Sequence, residues 1–152
     1  MAAAPYANIR DQISSILAGD ALTSGSAVYI EEEPQFGLGD NQSGIAVFTN
    51  RRRAPAGEQP LALGQRTRFE LDMLFVVLYF SHTSFRAAAD GRDGVLANLE
   101  LVLMKNRSLN NTVDALWLEG GEFYSARDPQ NNMAFVAVAE VDATCRLLAT
   151  TV

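Results

Sequence analysis

The chain holds one histidine, His82, directly after Ser81. A Ser-His-Asp relay would rest wholly on that residue, and a metal site built from paired histidines is excluded. Carboxylates are more numerous, but Glu31, Glu32, Glu33, Glu119 and Glu122 fall at expected strand ends and turns, where solvated charge is ordinary. Cys145 is the only cysteine, so neither an internal disulfide nor a cysteine zinc cage can form, and it is expected as a small buried hydrophobe. The glycines of GLGDNQSG (Gly37, Gly39 and Gly44) have no Lys-Ser/Thr after them and open no helix, so they suit a turn better than a phosphate cradle. No catalytic, cofactor-binding or metal-binding set is therefore expected. The only dense positive cluster is Arg51, Arg52 and Arg53. Three adjacent arginines can form bidentate pairs with the carboxylates of a neighbouring subunit, contact DNA phosphate, or stay solvated at a loop tip.

The surrounding charge bears on that choice. At a formal net charge of -6 over 152 residues, the protein lacks the field needed to coat nucleic acid. The length is that of a single domain covering residues 1–152, and a composition 48% hydrophobic and 20% charged is that of a globular chain. The start, MAAAPYANIRDQ, lacks the basic head and apolar core of a signal peptide, and no apolar run is long enough to span a bilayer. Synthesis in the cytoplasm without membrane association is the expectation.

The elements that must position these residues are organised around Arg66–Ser81, RTRFELDMLFVVLYFS. Its first half alternates: Phe69, Leu71 and Met73 on one side, Arg68, Glu70 and Asp72 on the other, toward water. From Leu74 both sides are apolar. Phe75, Val77 and Tyr79 continue the inward face, while Leu74, Val76, Leu78 and Phe80 need a cover of their own, from sheet packing or a neighbouring subunit.

Before this strand, Ile9, Ile13, Ile16 and Leu17 mark an amphipathic helix from Pro5 to near Gly19, and Ala27–Glu33 reads as a short strand. Residues 34–65 read as an extended loop or β-hairpin arm with one strand-like piece, Gly44–Thr49, and the arginines at its middle. After it, Val95, Leu96, Leu99, Val102 and Leu103 give a helix within Ser84–Lys105, with Arg92, Asp93 and Glu100 off the apolar stripe. Its firm part is expected from Gly91, capped by Asp90 and Asp93. Thr112–Leu118 is a third strand that Gly120 and Gly121 break, with Trp117 as a core or interface anchor, and Met133–Leu148 is a fourth that pairs with the organising strand. The expected fold is α+β: a four-stranded, mixed but mainly antiparallel sheet with both helices on one face and the arm between strands 1 and 2.

Several segments, DGVLANLELVLMKN, SLNNTVDALWLEGGEFYS and MAFVAVAEVDATCRLLATT, resemble the tail terminator, or tail completion, proteins of long-tailed bacteriophages, the lambda-type minor tail protein family. The resemblance implies a homo-oligomeric ring, usually a hexamer, at the virion's head-tail junction. Such a ring stops tail-tube polymerisation, sits on the tail-tube protein and meets a head-completion or connector protein. Genomic DNA passes through it without sequence-specific binding, and acidic walls repel its phosphates. On this reading Arg51, Arg52 and Arg53 contact a partner, while Leu74, Val76, Leu78 and Phe80 serve subunit or sheet packing. The alternatives are another neck, connector or tail-tube protein, or a small α+β enzyme or ligand-binding domain using His82.

Overall fold

The computed structural model describes residues 5–34, 39–53, 66–128 and 131–150. In chain order these form α1 (Pro5–Gly19), β1 (Ala27–Ile30), β2 (Ser43–Arg53), β3 (Arg66–Ser81), α2 (Phe85–Lys105), β4 (Ala115–Asp128) and β5 (Asn131–Thr150). The strands make one sheet in the order β1-β2-β3-β5-β4, with β1 parallel to β2 and every other pair antiparallel. The class is α+β, as expected, but the described residues hold five strands where four were expected.

The additional strand is β2. Its flanks, rich in Gly, Pro and Asn, suggested an arm, whereas Ser43–Arg53 lies inside the sheet between β1 and β3. Ile45, Ala46 and Val47 have no exposed surface, so the first half of β2 is buried on both faces as an interior strand should be. The remaining parts of the expected arm, 35–38 and 54–65, lie outside the described residues.

Both helices cover one face. Ile9, Ile13 and Leu17 of α1 and Leu96, Leu99, Val102 and Leu103 of α2 join Leu71, Met73, Phe75 and Val77 of β3 in the main core. The end of α1 is secured by Thr23, whose buried hydroxyl donates to the Leu17 carbonyl at 2.7 Å. Asp20 accepts from Lys105 Nζ at 2.9 Å and so ties the ends of the two helices.

Helix α2 begins earlier than expected. Ser84 accepts the Ala87 amide at 3.0 Å, a side-chain cap that satisfies the first turn and leaves Asp90 and Asp93 within the helix. Gly91 is interior for a packing reason: a Cβ there would lie 2.3 Å from the ring of Tyr79 on β3. Arg92, expected off the stripe, is buried because it follows Ala88 and precedes Leu96 by one helical turn each. It donates to Asp93 Oδ1 at 3.0 Å and to the Val138 carbonyl at 3.4 Å, and its guanidinium lies 4.7 Å over the Phe123 ring.

Between α2 and β4 the chain places Leu109, Asn110 and Asn111 in succession at positive φ. The two asparagines tolerate this, and Leu109 is held there with no surface exposed. Gly120 and Gly121 do not end β4. The register shifts between Leu118 and Gly121 in a bulge, and a Cβ on Gly121 would meet the Glu140 carbonyl oxygen at 2.0 Å, so the glycine permits the two strands to stay paired. β3 pairs with β5 along its whole length, from Arg66 opposite Thr150 to Ser81 opposite Phe135.

Candidate functional site

The sheet face away from the helices is divided along its strands. One part is a second apolar cluster: Ala46 of β2, Val76, Leu78 and Phe80 of β3, and Ala134, Val136 and Val138 of β5, bordered by Tyr29, Phe48 and Leu74. Val76, Leu78 and Phe80 are buried within the chain, and Leu74 is half-buried. The doubly apolar stretch thus lies against its own sheet neighbours.

The other part of this face is a ladder of charge. Residues opposite one another on paired strands share a face. The register sets Arg51, Asp72, Thr144 and Trp117 in one row and Arg53, Glu70, Arg146 and Ala115 in the next. β2 contributes because its register shifts between Thr49 and Arg51. Ala46 and Phe48 occupy this face before the irregularity, and Arg51 and Arg53 occupy it afterwards. The same shift sends Arg52 to the helix-covered face, 4.0 Å over the Phe69 ring. The arginines therefore end a sheet strand, with neighbours on three strands.

Arg53 is the hub. Its Nη1 lies 2.6 Å from Glu70 Oε2, and its Nε and Nη2 meet the two oxygens of Asp72 at 3.1 and 3.3 Å. The hydrogen bond it donates to Asp72, with the charges of Asp72, Glu70 and Glu119, holds the guanidinium above its ordinary value. Thr144 Oγ1 stands 2.9 Å from Glu119 Oε1 and 3.3 Å from Asp72 Oδ1, within donating distance of either. Glu119 also accepts from Trp117 Nε1 at 3.1 Å. Arg146 reaches Glu70 Oε1 at 3.8 Å and lies 5.5 Å over Trp117, while its buried Nε has no hydrogen-bond partner among the described residues. Glu70, expected in water, is 8% exposed. Beside the ladder is a cavity of about 300 Å³ whose lining includes Arg51, Arg53, Asp72, Glu119, Asp142 and Thr144. Its charge is of both signs, which suits contact with a mixed-charge protein surface better than capture of a simple anion.

The other candidates lie apart. His82 is exposed beyond the opposite end of β3 from Glu70 and Asp72, and its backbone amide donates to Asp40 Oδ1 at 2.8 Å. Glu32, Glu33 and Glu122 are exposed rim residues. Glu31 is engaged: its Oε1 accepts from the Thr49 amide at 2.7 Å and hydroxyl at 2.6 Å, with Arg10 at 3.9 Å. Of the loop glycines, Gly37 lies outside the described residues, Gly39 donates to Gln42 Oε1 at 2.9 Å, and Gly44 packs in β2 against Tyr29. Cys145 is buried beside Met73 Sδ at 3.6 Å, and burial pushes its thiol up to about 12. Among the described residues no His, Cys, Asp or Glu cluster is placed to hold a metal, and no helix is long and apolar enough to cross a membrane. Glu70, Asp72, Thr144 and Arg146 were missed as site residues because alternation assigns polar residues to solvent, and only the register brings them together.

No protein-family model matches this chain, and no curated protein matches it. Among solved structures, a chain in a structure titled "Virion of native gene transfer agent (GTA) particle" is similar at 12% identity with a TM-score of 0.44. The match covers 95% of this chain and 99% of that one. A likeness of this size carries no argument about function.

Proposed function

We propose that this chain is a virion structural protein, without an enzymatic role, that forms a ring at the head-proximal end of a phage tail. There it stops tail-tube polymerisation and joins the tail to a head-completion or connector protein, while genomic DNA passes through the ring. The observation that carries this reading is the set of large apolar side chains left exposed on α2 and β4: Leu101 at 51%, Met104 at 67%, Phe123 at 59% and Tyr124 at 46%. Exposed apolar surface on two adjacent elements calls for a partner. The segments that resemble tail terminators fall on α2, β4 and β5. In this reading Arg51 and Arg52 meet a partner, Arg53 braces them from within the ladder, and Leu74, Val76, Leu78 and Phe80 stiffen the sheet behind them.

The test is to add the purified protein to polymerising tail-tube subunits of the same phage and to view the products by electron microscopy, with native mass spectrometry of the protein alone. Tubes that stop growing with a ring on one end, and a closed oligomer of about six copies as such rings usually have, are expected. Self-assembly of this chain into open tubes would instead identify a tube subunit.

A further inference from the structure

The sheet ends in two unlike edges. At one, β1 covers β2 only over Gly44–Val47. Past that cover the end of β2 carries Arg51 and Arg52, both exposed, which with Arg10 and Tyr6 of α1 line a cleft of about 300 Å³. At the other edge, β4 is paired, among the described residues, with β5 alone. Between it and α2 runs a groove of about 400 Å³ lined by Leu103, Met104, Leu116 and Trp117, its charge supplied by Glu100, Glu119 and Arg107. Glu122 is exposed further along the same strand.

We propose that the arginine-bearing β2 edge of one copy docks on the β4 groove of a second copy, so that subunits associate head to tail. The inference rests on the ring reading above and names the two surfaces that would meet. Charge complementarity identifies the occupant: the β2 cleft presents Arg10, Arg51 and Arg52, the β4 groove two carboxylates against the single Arg107 with Glu122 beyond it on the same edge strand, and opposite charges on facing surfaces orient association and reject wrong pairings. Apolar exposure points the same way, since Leu101 and Met104 on the α2 flank gain cover. Position decides the symmetry. The two surfaces are at opposite ends of the strand order, so the contact is heterologous, and a heterologous contact gives a ring where its rotation closes and an open filament where it does not. The unpaired edge of β4 becomes buried in the assembly, as a long edge strand requires.

The experiment uses the full chain and two variants, R51E/R52E and E100K/E122K, which leave Glu119 in its contacts with Trp117 and Thr144. Oligomer size is measured by analytical ultracentrifugation and native mass spectrometry across protein concentration. Each variant alone is expected to dissociate at concentrations where the wild type is a ring, a weakening of about tenfold or more. An equal mixture of the two is expected to assemble with the variants alternating, because the arginine edge of one meets the native groove of the other and the glutamate edge meets the lysine-bearing groove. Joining all four substitutions in one chain restores the ring through swapped charges. The milder pair R51Q/R52Q and E100Q/E122Q, with circular dichroism, separates lost contact from lost fold. Rings that persist in both variants overturn this assignment and leave the ring reading standing. A wild type that is monomeric throughout overturns the ring reading and this inference with it.

Discussion

Arg53 at the end of β2 and Glu70 on β3 form a contact of 2.6 Å in which the carboxylate is nearly enclosed, its side chain 10% exposed against 35% for the arginine. The pair is asymmetric. Removing the arginine leaves a desolvated carboxylate whose other cation, Arg146, is 3.8 Å away, whereas removing the exposed Arg51 strands no buried charge.

Arg53→Met is therefore expected to lower the urea midpoint clearly more than Arg51→Met. Equal midpoints for the two variants would mean that the ladder does not brace the sheet.

At Gly91 the usual sign of a helix substitution should reverse. Alanine in place of glycine inside a helix ordinarily stabilises, but here the new methyl meets the Tyr79 ring at 2.3 Å. Gly91→Ala is expected to cost about 1–3 kcal/mol, with part of the loss recovered when Tyr79→Ala is added. Denaturant unfolding of the four proteins in the cycle checks this.

The second apolar cluster should report on the subunit itself. Phe80 has no exposed surface, so Phe80→Ala is expected to cost about 3–5 kcal/mol, and half-buried Leu74→Ala roughly 1–2 kcal/mol. Both losses should be the same at dilutions where the protein is monomeric. A Phe80 effect that vanishes on dilution would place that side chain between subunits instead.

Cys145 should resist thiol reagents. Burial raises its folded value to about 12 against an ordinary value near 9. The unfolded chain therefore loses this proton first as pH rises, and stability from this group is present below about pH 9 and lost progressively up to about 12. Labelling with a disulfide reagent at pH 8 should proceed only as fast as the protein opens, and Cys145→Ala should flatten the alkaline fall in stability.

The periodicity of the sequence determined α1, the apolar stripe of α2, both faces of β3 and its pairing with β5. Those features depend on which residues follow one another, and burial then selects the side. It misplaced β2 because the Gly, Pro and Asn residues around Gly44–Thr49 have the composition of a loop, while only neighbours on both sides make that segment an interior strand. It ended β4 at Gly120, where the closeness of the Glu140 carbonyl turns a break into a bulge. The charged ladder was the least legible feature. Arg53, Glu70, Asp72, Thr144 and Arg146 stand on three strands and meet only through inter-strand register and the shift after Thr49, so tertiary structure alone decided that these polar side chains face each other rather than water.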